Sequence, residues 1–123
     1  KSVLVFKKNP IETKIFTSIL RKIASDAQGA ESLHAFKVAL SQAWYKVIMI
    51  DDEISGIDTK ALVDLIRTYQ GEFGEKVGNI VLFQENQSEE SLAEDLTVSK
   101  AVPNIVSKRE LEALLQSFDM EQN

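Results

Sequence analysis

The stretch VLVFKKNP, Val3 to Pro10, joins an apolar run of strand length to two lysines and to the start of a helix. A continuous apolar run of this kind predicts a strand that is buried on both faces of a parallel sheet. Asn9 and Pro10 are an N-cap residue and a proline suited to the first turn of a helix. The sequence therefore predicts a strand, a short loop that carries Lys7 and Lys8, and then a helix.

Later segments repeat this alternation of strand and helix. Two more apolar runs, Val47 to Ile50 and Ile80 to Phe83, predict central strands, and Pro103 marks a run from Ala101 to Val106 as an edge strand. A strand around Ala27 to Ala30 is inferred from the alternation itself. Right-handed crossovers then give an α/β fold, a flavodoxin-like five-stranded parallel sheet of order 2-1-3-4-5 with helices on both faces.

Capping residues predict where the helices begin. Asp58 precedes one helix, and Ser107 followed by Glu110 has the capping-box spacing before the last helix. Ser88 can cap a short acidic helix before the fifth strand. The first helix has an apolar stripe, which predicts that one face packs on the sheet. This stripe consists of Ile11, Ile15, Phe16, Ile19, Leu20 and Ile23.

Composition limits the functions that this chain can have. It has 123 residues, enough for one domain, and no apolar run long enough to span a membrane. A net charge of −5 without a basic stripe argues against nucleic acid as a partner. Zero cysteines exclude disulfides and thiolate chemistry and fit a cytoplasmic protein. Because the sequence begins at Lys1 rather than at Met, we expect residues 1–123 to be one domain of a larger protein.

In a sheet of this order, ligands bind outside the carboxyl ends of the first and third strands. Lys7 and Lys8 follow the first strand there, and Asp51 ends the third. The segment VIMIDDEISGID, residues 47–58, resembles the phospho-acceptor region of response-regulator receiver domains, the CheY-like family of two-component systems. The resemblance covers almost the whole chain, from VLVFKKNP to SKRELEALL. It implies that Asp51 stands at the position that accepts a phosphoryl group from a phosphohistidine.

The resemblance also identifies departures from the family at the metal site. Receivers hold Mg²⁺ between the phospho-acceptor aspartate and acidic residues that follow the first strand, and Lys7 and Lys8 occupy those acidic positions here. An ammonium cannot ligate a cation and repels it. We therefore expect a lysine to replace the metal as the counter-charge of Asp51. Their attraction is about 4 kcal/mol at about 4 Å, before the cost of desolvation is subtracted.

Two further positions lack the side chains that the family uses in signalling. The switch serine or threonine after the fourth strand corresponds to Gln84. The lysine after the fifth strand corresponds to Asn104 when the alignment is anchored on the last helix, and Ala101 then takes the aromatic switch position. A different gap would place Lys100 at the lysine position, so both alignments stay open, with Asn104 favoured.

These departures favour a degenerate receiver, or pseudo-receiver, which is a non-enzymatic signalling module that regulates a partner without phosphorylation or a cofactor. The alternative is a working receiver that is phosphorylated at Asp51 with the help of Mg²⁺. The run Asp51-Asp52-Glu53 could itself attract a divalent ion, but sequential carboxylates do not converge without a suitable loop. A flavin or nucleotide site is disfavoured because the loop after the first strand lacks a Ser/Thr/Gly phosphate cradle.

The resemblance further implies a protein partner, such as a histidine kinase or an output domain. Receivers most often contact partners through the face formed by the fourth helix, the fifth strand and the fifth helix. Here that face would consist of residues 88–96, the fifth strand and Ser107 to Phe118. A dimer is also compatible with the resemblance. His34 is the single histidine, and we expect it to lie on the surface.

Overall fold

The strand pairing of the computed structural model, which describes residues 2–74, 76–84, 98–104 and 107–118, gives one five-stranded parallel sheet of order β2-β1-β3-β4-β5. The predicted α/β fold and strand order are therefore confirmed. The strands are β1 (Val3–Phe6), β2 (Gln28–Gly29), β3 (Val47–Asp51), β4 (Asn79–Gln84) and β5 (Lys100–Pro103). The helices described are α1 (Pro10–Arg21), α2 (Leu33–Gln42), α3 (Thr59–Gly71) and the last helix (Lys108–Gln116).

Successive strand residues face two hydrophobic clusters, one on each side of the sheet. On one side, Ile48 and Leu82 pack with Phe36 of α2 and Ile66 of α3. On the other side, the alternate strand residues pack with buried residues of α1 and the last helix, including Phe16 and Leu111. Because helices cover both faces, the central strands are buried almost throughout, which explains their continuous apolar sequences.

The predicted caps of three helices are confirmed by side-chain hydrogen bonds. The Asn9 side chain accepts from the Ile11 N–H at 2.8 Å, and the Asp58 carboxylate accepts from the Ala61 N–H at 2.8 Å. The Ser107 hydroxyl caps the last helix and also donates to the Glu110 carboxylate. The helix predicted after Ser88 lies outside the described residues.

The predicted apolar stripe of α1 is wrong at two positions. Ile11 is 67% exposed and Ile15 is 50% exposed, whereas Thr13 and Thr17 are buried beside Phe16. The two threonines tolerate burial because their hydroxyls have partners. The Thr13 hydroxyl accepts from the Lys7 N–H, and the Thr17 hydroxyl donates to the Thr13 carbonyl. The buried positions of α1 therefore include two threonines whose hydroxyls are hydrogen-bonded, while the two isoleucines of the predicted stripe are exposed.

The two edge strands are shorter than expected or shifted. β2 has two residues where the sequence suggested four, and β5 begins at Lys100 and ends at Pro103 rather than spanning 101–106. Residues 105–106 lie outside the described part of the chain. The position of β5 at the edge agrees with the proline in it, since proline has no N–H for a further strand.

Candidate functional site

Lys7 and Asp51 meet at the carboxyl edge of the sheet, where β1 and β3 end side by side. The parallel register pairs Phe6 with Ile50, so the residues that follow these two lie at the same level. Lys7 Nζ is 2.6 Å from Asp51 Oδ1, and the two side chains are 0% and 4% exposed. Of the two lysines considered from the sequence, Lys7 thus contributes the ammonium.

Lys8 contributes a backbone donor to the same carboxylate. The Lys8 N–H donates to Asp51 Oδ2 at 2.8 Å, while the residue as a whole is exposed. Both oxygens of Asp51 are therefore engaged by the segment that follows β1.

Two phenylalanine rings enclose the ammonium of Lys7. Its Nζ lies 4.3 Å from the ring centroid of Phe16 and 4.0 Å from that of Phe83, and the two rings pack edge to face at 5.5 Å. Cation–π attraction at such distances stabilises a desolvated ammonium. Sequence reasoning did not assign these rings to the site. The observed register pairs Phe83 with Asp51 across β3 and β4, which places this ring beside the site.

Burial and the carboxylate act in opposite directions on Lys7. Removal from water lowers the pKa of the Lys7 ammonium below the ordinary value of 10.5. The hydrogen bond and the Coulomb attraction from Asp51 raise it, but burial is the larger effect. The site therefore contains a buried ammonium that is costly to remove from water and whose charge is compensated by Asp51.

Asn104 adds a third side chain to this pair. Lys7 Nζ donates to Asn104 Oδ1 at 2.7 Å, and the Asn104 N–H donates to the Gln84 carbonyl at 3.2 Å. Asn104 directly follows β5 at the carboxyl edge, whereas Lys100 opens that strand and pairs with Val81. The register thus brings Asn104, and not Lys100, to the ammonium of Lys7.

Gln84 and Ala101 are the residues that the resemblance matches to the switch positions of receiver domains. Gln84 is the last residue of β4 and is buried, and its Nε2 has no hydrogen-bond partner within the described structure. Ala101 lies on β5 opposite Leu82. Neither a hydroxyl nor an aromatic ring is present at these positions.

The acidic run after Asp51 does not gather its side chains around one point. Asp52 Oδ1 accepts from the Thr59 hydroxyl at 2.7 Å, and Glu53 is exposed on a backbone with φ of 58°. Within the described ranges, no group of three or more His, Cys, Asp or Glu side chains could hold a metal ion. A buried ammonium beside Asp51 also opposes a cation there. His34 lies exposed on α2.

Solved structures with the same fold are receiver domains. A CheY-like receiver domain from Methylobacillus flagellatus is 20% identical with a TM-score of 0.77, covering 96% of this chain and 98% of that one. The chemotaxis protein CheY4 of Vibrio cholerae is 14% identical with a TM-score of 0.80, covering 95% and 97%. The likeness establishes a CheY-like, flavodoxin-type fold.

A third similar structure contains a magnesium ion. It is the receiver domain of a sensor histidine kinase from Pseudomonas aeruginosa PAO1 with a magnesium ion coordinated in its active-site cleft, 17% identical with a TM-score of 0.77, covering 96% of both chains. The sequence of the present chain matches no family model and no curated protein. None of the described helices has the length and hydropathy of a membrane-spanning segment.

Proposed function

We propose that this chain is a pseudo-receiver, a regulatory module of two-component signalling that binds a partner without being phosphorylated. The observation that carries the proposal is the ammonium of Lys7, which lies 2.6 Å from Asp51. A receiver needs a divalent cation near its phospho-acceptor, because phosphoryl transfer depends on charge neutralisation and positioning. Here a covalently attached cation has that role permanently, so the charge of Asp51 is compensated without metal.

The remaining contacts of Asp51 support the same function. Its second oxygen accepts from the Lys8 N–H, so accepting a phosphoryl group would require breaking one of two buried contacts. Gln84 and Asn104 replace the hydroxyl and the lysine that would bind the phosphoryl oxygens in the family. We therefore expect the site to keep one conformation, which its own side chains stabilise, instead of switching between two.

The experiment that tests this proposal is exposure of the protein to acetyl phosphate and Mg²⁺, followed by intact-mass measurement. We expect no phosphate adduct. A labile adduct that disappears in Asp51→Asn would identify the alternative, a receiver that is phosphorylated at Asp51 with Mg²⁺ as its cofactor. A working receiver from the similar structures, treated in parallel, controls for the activity of the reagent.

The partner surface of the pseudo-receiver is proposed to include β5 and the last helix. That helix buries Leu111, Leu114 and Leu115 and presents Lys108 and Arg109 to solvent. The fourth-helix segment expected at residues 88–96 lies outside the described residues. A cytoplasmic histidine kinase or output protein that contains or contacts this domain is the partner class we propose, and the Lys108→Glu variant should bind it more weakly without loss of thermal stability.

A further inference from the structure

A polar cavity of about 370 Å³ lies between α1 and the edge strand β2. Its lining includes neither Lys7 nor Asp51, so it is separate from the site described above. The volume is near the lower end of the range for small-molecule sites. Its side chains are mainly charged or hydroxyl-bearing, which suits a polar ligand better than an apolar one.

One wall of the cavity is a row of donors on α1. Lys14, Ser18 and Arg21 follow one another at helical spacing, so they lie on one face of the helix. The two cations are two turns apart, a rise of about 10 Å. Arg21 Nε donates to the Ala27 carbonyl at 3.0 Å, which fixes the guanidinium at the mouth of the cavity. The other guanidinium nitrogens of Arg21 can donate to a ligand.

Gly29 provides a backbone donor on the opposite wall. The Ala30 N–H donates to the Val5 carbonyl, so in this parallel ladder the N–H and C=O of Gly29 point away from β1. β2 is the edge of the sheet. A Cβ at residue 29 would collide with the Thr17 Oγ1, so no larger residue fits at this position between β2 and α1.

The charges around the cavity favour an anion. Lys14 and Arg21 carry two positive charges against one carboxylate, that of Glu31, in a chain whose net charge is −5. Lys14 Nζ is 3.7 Å from Glu31 Oε1, and both side chains are largely exposed. Such a pair is weak and can be displaced by a ligand.

We propose that this cavity binds a small dianion whose two oxyanion groups, carboxylate or phosphate, lie at its two ends. One group contacts the guanidinium of Arg21, and the other contacts the ammonium of Lys14 in competition with Glu31. The Ser18 hydroxyl and the Gly29 N–H donate to the ligand between these ends. Because Lys14 and Arg21 are two helical turns apart, we expect one anionic group to reach only one of them. A ligand that contacts both therefore needs two anionic groups.

The test is a titration of isotope-labelled protein with succinate, 3-phosphoglycerate and, as a monoanion, acetate, followed through the amide signals of residues 14–21 and 28–31. We expect saturable shifts with at least one of the two ligands that carry two anionic groups, and binding of acetate about tenfold weaker or more. Succinate and 3-phosphoglycerate distinguish a dicarboxylate from a phosphorylated acid, which carries the greater negative charge. Absence of saturation with both of these ligands, or equal binding of acetate, overturns the proposal.

Variants separate this site from general electrostatics. Arg21→Gln should weaken binding about tenfold, and Arg21→Lys should also weaken it because the ammonium lacks the fork of donors. Glu31→Gln should strengthen binding, since it removes the competing carboxylate. Lys60→Gln, which removes an exposed lysine paired with Asp64, is the control and should bind like the native protein. Binding unchanged in Arg21→Gln contradicts the site.

Discussion

Lys7 and Asp51 form an ion pair in which neither side chain reaches bulk water. The ammonium lies near the rings of Phe16 and Phe83 and also donates to Asn104. Two charges that are withdrawn from water depend on each other, because each one alone would be uncompensated. This mutual dependence gives the next two predictions their signs.

Removing the carboxylate should destabilise the fold. Asp51→Ala leaves a buried ammonium without its counter-charge, and we expect a loss of about 3–5 kcal/mol in the free energy of unfolding. Urea denaturation followed by circular dichroism measures it. Asp64→Ala is the matched control, because it breaks an exposed lysine pair and should change stability by less than about 1 kcal/mol. A higher midpoint for Asp51→Ala would contradict the pairing, since it would indicate relief of repulsion within an acidic cluster.

Replacing the two lysines with acids should create a response to magnesium. In the double variant Lys7→Asp/Lys8→Asp, carboxylates gather near Asp51, so stability should fall without metal and recover in part when Mg²⁺ binds the native state. Melting curves with and without millimolar Mg²⁺ measure this effect. The native protein is the control, and its amide signals near Asp51 should not move on addition of Mg²⁺. A double variant that ignores the metal would show that the lysines do not stand in for a cation.

Stability should rise with pH on the approach to the ordinary lysine pKa. The pKa of Lys7 is lowered by burial in the folded protein, whereas the unfolded value is about 10.5, so the unfolded state binds more protons between the two. Stability therefore increases as pH rises through that window, and Lys7→Met should abolish the increase. Urea midpoints at successive alkaline pH values measure it. A slope that is the same in Lys7→Met would assign the effect to another group.

Tyr45 acts in the opposite direction and serves as an internal control. Burial raises its pKa above 10.0, so the native state holds its proton longer than the unfolded state does. Stability is lost as pH rises past 10.0, and Tyr45→Phe should remove that loss while keeping the rise due to Lys7.

The buried side chain of Gln70 should contribute strongly to stability. Its Nε2 donates to the carbonyls of Leu40 and Ala43, and its Oε1 accepts from the Tyr45 N–H at 2.8 Å. Gln70→Leu keeps most of the volume but leaves these backbone groups without partners, so we expect a loss of about 3 kcal/mol. Thermal and urea unfolding measure it. Gln42→Leu, at an exposed position of α2, should stay within about 0.5 kcal/mol of the native protein, and an equal loss there would point to a general effect of leucine.

The sequence was sufficient to predict the strand order. Three continuous apolar runs marked the central strands, and caps such as Asn9 and Asp58 marked the helices between them, so few strand orders were possible. It also predicted that Lys7 and Lys8 follow β1 and that Asp51 ends β3. It did not predict the burial of Thr13 in place of Ile15, since a periodic pattern marks a face without showing which hydroxyls find partners across the fold.

The enclosure of Lys7 was likewise beyond a single sequence. Phe16 and Phe83 come from a helix and a strand that are remote along the chain, and only packing brings their rings over the same ammonium. The choice between Asn104 and Lys100 depended on one gap. The register of β5 against β4 is the feature that distinguishes the two positions, and it is a long-range property.

The strand order also has a consequence for synthesis on the ribosome. β1 emerges first, β2 pairs on one side of it, and β3, β4 and β5 then add one after another on the other side. None of the described strands has to be inserted between two strands that are already paired. The Lys7–Asp51 pair can close as soon as β3 has emerged, whereas Asn104 can join it only after β5 has emerged. The growing chain can therefore assemble its sheet in the order in which it is made.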